Sequence, residues 1–487
     1  MTRFLRPLLA SAGLLALAAC TVGPDYAGPP TVAVAAGENA QFARTGPELQ
    51  DDQPQLANWW ESLADPVLNR LEEQALASNP DLDVARARVA EARGALAGID
   101  ADSYPSLSAM ATAAHIRVPG LDLGESEDNS GGAEGDNSSS SGGTTSTNFF
   151  NLGLNASWQI DLFGGQRRQA EAARADIGAS DASLADAQVA LTASVADTYV
   201  DLRSAGERLA LAEQAVRHRE QIAGLTQQLF DRGAAPQAQV DQAQSALVAA
   251  RRQASALRAD TAKFLNALAV LTGQAPGAVD ELATSDLPPP LPPASVAVGD
   301  PAALIARRPD IRAAERRLAA ASARIGVARA AELPSISFMG LLGIGGTRLD
   351  DLTRLGDFTA IAAPVLQWNF LDFGRNAARR SQAEARMAAA EGQYRQSVLV
   401  ALREVEDGFV SFRYGREDLA QAAEIEALAA RQEDRTRQLF EQGVQSRIDL
   451  LAASLDLLDA RQGVASSRAA LTKGFIEMET ALGLGWR

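Results

Sequence analysis

Cys20 is the only cysteine in the chain, and its position limits the chemistry open to it. Arg3 and Arg6 make a positive start, and Leu8 to Leu17 follow as a short apolar run. That run is well below the roughly 20 residues a membrane-spanning helix needs. Leu17-Ala18-Ala19-Cys20 then matches the small-residue run before an acylated cysteine. On this reading residues 1–19 are a signal peptide, and the Cys20 thiol becomes a lipid attachment point, for palmitate or a similar acyl chain. An ordinary signal peptide with an incidental cysteine is the plainer alternative. A single thiol excludes internal disulfides and cysteine-based zinc or redox chemistry. His115 and His218 lie far apart, with no carboxylate at a metal-motif spacing. Neither is assigned a role, and no metal or cofactor is expected.

Two further motifs imitate catalysis. Asp372-Phe373-Gly374 spells a kinase metal motif, but Asp161-Leu162-Phe163-Gly164 is its counterpart elsewhere in the chain and no catalytic-loop motif accompanies it. Gly340 to Gly346 is glycine-rich but opens no helix, so it is a poor phosphate cradle. No enzyme site can be assembled from these residues, so work done by the protein draws its energy from a partner. The net charge of −16 becomes −18 once residues 1–19, with two arginines and no acids, are removed. Such a chain is not expected to bind nucleic acid.

The elements around these residues occur twice. Asn79-Pro80-Asp81-Leu82 resembles Arg308-Pro309-Asp310-Ile311, and Tyr104-Pro105-Ser106-Leu107 resembles Leu333-Pro334-Ser335-Ile336, both at an offset of 229. Farther on, Trp158 pairs with Trp368, Phe163-Gly164 with Phe373-Gly374, Gly233 with Gly443 and Gly273 with Gly483, all at 210. The 19 extra residues of the first copy fall in 120–147, a Gly/Ser/Thr-rich tract with six acids and no base. That tract cannot bury a core and reads as a loop. The first repeat spans 66–282, and the second spans 301–487 after a Pro-rich linker at 283–300. Residues 20–65 form an anchor and an extended segment.

Residues 148–160 alternate apolar and polar with period 2, as a strand with one greasy face does. Residues 103–118 are the weaker partner. The second copy repeats the pair over 334–346 and 357–370, with Pro364 as a blemish. Such strands are long enough for an outer membrane, where about 9–11 residues suffice. Aromatics stand at both ends: Phe149, Phe150 and Phe358 on the loop side, and Trp158, Phe163, Trp368, Phe370 and Phe373 on the helix side. Membrane-interface girdles have this arrangement. A soluble sandwich is the alternative, but it needs more than four strands.

A very long helix follows each strand pair. Residues 165–231 contain no proline, and at 1.5 Å per residue they run about 100 Å. Val195, Leu202, Leu209, Val216, Ala223 and Phe230 recur every seventh position, as in a coiled-coil seam. Each long helix ends at a glycine, Gly233 or Gly443, and another helix begins just beyond. The hairpin tips are therefore 231–237 and 441–447. Four strands cannot close a barrel, and open edges in lipid cost several kcal/mol per backbone group. Three copies would supply 12 strands, so the fold class expected is mainly α with transmembrane β.

Val22-Gly23-Pro24-Asp25-Tyr26, Trp59-Trp60, Asn79-Pro80-Asp81-Leu82, the paired tips and the terminal Ala481-Leu482-Gly483-Leu484-Gly485-Trp486 together resemble the TolC-like outer-membrane factors. The match is to their lipoprotein, NodT-type branch serving resistance-nodulation-division pumps. That resemblance implies a homotrimer with a 12-stranded barrel, a 12-helix periplasmic tunnel and an equatorial collar. It implies a lipid-anchored outer-membrane location, with Thr21 after Cys20 fitting that address, and a passive duct for small toxic compounds. Its partners would be a periplasmic adaptor, docking near Gly233 and Gly443, and an inner-membrane pump. By motif position Asp449 falls on a gating aspartate of the family, whereas a second such aspartate falls on Ala452. Asp241, Arg232 and Arg447 are further gate candidates, with solvated tip charges as the bland alternative. A protein-secretion duct or a coiled-coil envelope spacer are the rival functions.

Overall fold

The structure is a computed structural model that describes residues 21–32, 42–119, 144–284, 288–354, 356 and 358–486. Cys20 and most of the acidic tract, 120–143, lie outside the described residues.

The first repeat consists of α1 (Pro66–Ser78), α2 (Pro80–Ala101), β1 (Ser106–Pro119), β2 (Thr144–Ile160), α3 (Gly165–Asp231) and α4 (Gln237–Leu271). The second consists of α5 (Pro301–Arg307), α6 (Pro309–Ala330), β3 (Ser335–Gly346), β4 (Phe358–Gln367), α7 (Arg375–Glu441) and α8 (Arg447–Ala481). Corresponding helices agree in length: 22 residues for α2 and α6, 67 for α3 and α7, 35 for α4 and α8. Proline opens α1, α2, α5 and α6, where its missing N–H is no loss. Asp65 and Asp300 cap α1 and α5 by accepting from backbone N–H groups two or three residues on.

Two readings need correction. Residues 144–147, assigned to the loop, belong to β2, where Thr144 pairs with Pro119. Backbone pairing with Ile116 to Pro119 extends the ladder through them. The return strand of the second copy stops at Gln367 rather than 370. Its partner β3 begins at Ser335, opposite Gln367, so Trp368 and Phe370 have no ladder to join.

The chain has two compact units. One comprises residues 1–27, 93–174 and 319–388, and the other 28–92, 175–318 and 389–487. The first holds an antiparallel sheet in the order β1-β2-β3-β4. Its register gathers Leu107, Ala109 and Ala111 with Leu154, Leu152, Trp158, Phe338, Leu342, Ile344 and Leu366 on one face. Most of these large side chains are solvent-exposed in the single chain, Leu107 at 70% and Leu366 at 66%. The opposite face carries Asn151, Asn155, Ser157 and Gln159, though Met339, Ile361 and Val365 make its second-repeat half less polar. Pro364 sits in β4, an edge strand, the position in a sheet that tolerates a missing donor.

The second unit has the large apolar core. Trp60, Tyr199, Phe409, Phe412 and Phe475 are fully buried there, and Trp59 stacks edge-on against Phe475 at 6.0 Å. Leu49–Gln50 pair in parallel with Val296–Ala297, and the Gly485 N–H donates to the Leu56 carbonyl. The segment before Trp59, the inter-repeat linker and the carboxyl terminus are thus sewn together by backbone bonds.

The helix joints repeat as well. Asn79 donates its amide to the Leu271 carbonyl, and Arg308 donates its guanidinium to the Ala481 carbonyl, 2.9 and 2.7 Å away. These acceptors end α4 and α8, whose last carbonyls lack helical partners. Gly273 and Gly483 follow in the left-handed region, at φ 71° and 72°. A Cβ on Gly273 would lie 2.2 Å from the Ser78 carbonyl oxygen. Gly273→Ala should therefore destabilise the unit by at least about 2 kcal/mol, through both strain and collision, measured as a lowered denaturation midpoint.

Two buried acids also mark this unit. Glu72 is fully buried, and neither carboxyl oxygen has a hydrogen-bond partner among the described residues. Burial holds its carboxyl well above the usual range. Burial likewise pushes Glu479 up to about 8, although the charge of Arg307 opposes the shift. A carboxyl raised on folding gives stability that is complete below its unfolded value, near 4.3. That stability is lost as pH rises through the folded value and is then constant above about 8. Glu479→Gln should flatten the fall in unfolding temperature between these limits, a fall that thermal scans across pH resolve in the parent.

Candidate functional site

The site has two parts, each built within its own unit. The first is the junction where strands pass into helices. Trp158 donates its indole N–H to the Ser103 carbonyl at 3.0 Å, and Trp368 donates to the Glu332 carbonyl at 3.1 Å. Donors 210 apart meet acceptors 229 apart, so both copies make the same clasp between returning strand and preceding helix. The rings remain partly open, at 39% and 53%, and Trp158 stacks on Phe338. An amphipathic ring with a bonded polar tip suits a membrane–water boundary. Phe163 is half-buried. Phe373 is 93% exposed and holds a left-handed φ of 53°.

Carboxylates cap the long helices at this junction. Asp161 accepts from the N–H groups of Gln166 and Arg167. Asp372 accepts from those of Gly374 and Asn376, at 3.1 and 2.7 Å. The kinase-like triplet is therefore a helix cap, shifted by one residue between the copies.

The second part is the hairpin tips. Gly233 and Gly443 have φ of 73° and 76°, and nothing lies within 4 Å of a Cβ placed on either. The N–H groups of Gly233 and Ala234 reach the carbonyls of Phe230 and Leu229, and those of Gly443 and Val444 reach Phe440 and Leu439. This doubled bond satisfies the last orphan carbonyls of each long helix. Only the second tip adds a side-chain cap. Asp449 accepts from the Ser446 N–H at 2.9 Å and its hydroxyl at 2.7 Å, and the Asp449 N–H returns a bond to that hydroxyl. The Ser446 hydroxyl and N–H hold the Asp449 carboxyl below its usual value. The Ser446-x-x-Asp449 spacing carried that signal in the sequence.

The remaining candidates are dispersed around the tips. Arg447 reaches Gln221 at 3.5 Å and lies over the Phe440 ring. Asp241 accepts from Gln237 at 2.9 Å on its own helix, and Arg232 is exposed. Farther along the same unit a groove of about 840 Å³ runs between α3, α7 and α8. Asp186, Asp197, Glu404, Asp418 and Glu477 line it against Arg308 and Lys473. Desolvation raises Asp197 to about 6, with Asp201 and Glu477 adding to the shift and Lys473 opposing it. Sequence reasoning missed this lining, though the spacing of 11 between Asp186 and Asp197 puts both on one helix face.

Among the described residues no group of acids, histidines or cysteines is placed to hold a metal ion, and no helix is long and apolar enough to cross a membrane. A duplicated unit that joins strands with an open apolar face to paired long helices defines an outer-membrane channel subunit.

Comparison with known proteins narrows that class. The chain belongs to the outer membrane efflux protein family, whose sequence model matches residues 71–274 and 301–484, one segment in each repeat. It is 30% identical over 486 residues to the pyoverdine export outer membrane protein OpmQ of Pseudomonas putida, covering 97% of this chain and 96% of that one. It is 28% identical over 475 residues to the cation efflux system protein CusC of Escherichia coli, covering 97% of each. The solved outer-membrane channel OprN superposes with a TM-score of 0.81 at 32% identity, over 96% of this chain and all of that one. The protein is an outer-membrane efflux component, and its duplicated fold is that of the outer-membrane channels.

Ser446→Ala should fray the first turn of α8 at a cost of about 1 kcal/mol. Faster amide exchange at Asp449, with the rest of α8 unchanged, is the expected result.

Proposed function

We propose that three copies of this chain close a 12-stranded barrel, continued by 12 helices on the periplasmic side, as the passive exit duct of a tripartite pump. The observation that carries this reading is the sheet. Among the described residues β1 and β4 each have one neighbour, and both belong to a sheet whose apolar face is open to solvent in the single chain. In lipid those edges must be paired, and a neighbouring copy offers the matching edge. Burial along α3 supports the same assembly. Val195 and Leu202 are buried within the chain, Leu209 and Val216 half-buried, and Phe230 exposed. The outer end of the seam awaits other helices.

In this reading Cys20 carries the lipid anchor, and Trp158, Phe163, Trp368 and Phe373 lie near the membrane boundary. The tips at Gly233 and Gly443 meet a periplasmic adaptor, which links the duct to an inner-membrane pump. Asp449, Asp241, Arg447 and Arg232 lie where the tips would converge and act as the gate. The cargo is small toxic compounds. The relatives' names span cations and pyoverdine, so the choice of cargo rests with the pump.

Deleting the protein should sensitise cells to several unrelated compounds, and wild type should restore growth; a panel with no change would overturn the efflux reading. The gate is tested by conductance of the purified assembly in planar bilayers. Asp449→Asn and Asp449→Ala should both raise it, whereas Ser446→Ala, which loses the cap and keeps the charge, should not. Equal effects of all three would assign Asp449 to capping alone.

A further inference from the structure

We propose that residues 21–26 form a locked strut that holds the lipid-bearing amino terminus at the first strand-to-helix junction, with Arg168 as its positioning residue. This rests on the reading of Cys20 as the acylated residue. The Val22 N–H donates to the Phe163 carbonyl at 3.1 Å, which adds the segment to the turn between β2 and α3. Arg168, one turn into α3, has its side chain only 4% exposed. Its guanidinium donates to the Val22 carbonyl at 3.3 Å, the Gly23 carbonyl at 3.4 Å, Asp25 at 2.6 Å and Glu171 at 2.8 Å. Removing the segment would take three of these four acceptors from the guanidinium.

The seat also excludes side chains at three places. A Cβ on Gly23 would lie 2.4 Å from the Gly326 Cα. One on Gly326 would lie 2.7 Å from the Arg168 Cγ and 2.9 Å from the Val22 carbonyl oxygen. One on Gly164, whose φ is +79°, would lie 2.6 Å from the Thr21 Cγ2. The backbone of the segment is thus pressed between the start of α3 and the C-terminal part of α6.

A lipid leash needs only flexible chain, which sets a maximum reach and no fixed distance. A seated segment does the opposite. Cys20 immediately precedes Thr21, so acyl chains leave the protein one peptide bond from the seat. The strut therefore sets the depth of the junction relative to the leaflet that holds the acyl chains. It also links anchoring to folding, because the seat exists only once α3 and α6 have met.

Hydrogen exchange on the detergent-purified full-length assembly, with the mass of its amino-terminal peptide, tests this. The Val22 amide should be protected in the wild type. Arg168→Ala should speed its exchange at least about tenfold while the amides of β2 stay protected. Gly326→Ala, which keeps the arginine and blocks the seat, should do the same and serves if Arg168→Ala does not assemble. Wild-type Val22 exchanging like an open peptide, or unchanged protection in both variants, would overturn the strut. A protected Val22 on a chain without acyl mass would overturn only its lipid-holding role, and with it the reading of Cys20.

Discussion

In hydrocarbon no water is available to a backbone N–H or carbonyl, so every such group in a membrane-spanning segment must find a partner in protein. Four strands in one open sheet cannot meet that condition alone. Their two edges, β1 and β4, and their apolar face determine what the rest of the molecule does. The sheet needs companions, and the companions must arrive with their edges at a fixed height and angle. Within the first unit the clasped junctions serve that requirement, because each ties the end of a returning strand to the chain just past a helix end.

Duplication explains how rigidity is built with few kinds of contact. Each repeat closes its helix joint with a side chain on the last carbonyl of the returning helix, Asn79 in one and Arg308 in the other. Each closes its strand joint with an indole on a helix-end carbonyl. The backbone problem is identical in the two copies, and the chemistry is free to differ. Arg308 also pairs with Asp310 and Glu404, so a position that is neutral in the first repeat becomes a charged network in the second.

Much of this was legible in the residues. The two offsets, 229 and 210, located the repeats, and the absence of proline over 165–231 matched one unbroken helix of 67 residues. Strand ends were less legible. The composition of 144–147 resembles the loop beside it, and only pairing across to β1 makes it strand. Roles were least legible where two chemistries share a residue. Asp449 read as a gate charge by position, and the structure adds a cap through Ser446 that the spacing alone could have revealed. Trp158 and Trp368 read as boundary aromatics, yet the bonds of their indoles run to carbonyls that no periodicity connects to them. Nothing local ties Arg168 to Val22, 146 residues earlier; that contact exists only in the folded chain.

The two hairpin tips share one backbone but are held differently. The first turn is closed by main-chain bonds alone, with Pro236 at the start of α4 and no side-chain cap. The second adds the reciprocal Ser446–Asp449 pair. Natural selection therefore meets two surfaces of unequal freedom. At the first tip, outside Gly233 and Pro236, no side chain holds the turn, so exchanges there leave its main-chain bonds in place. At the second, a change at either capping residue also removes side-chain bonds from the first turn of α8. Sequence change is therefore freer at the first tip than at the second.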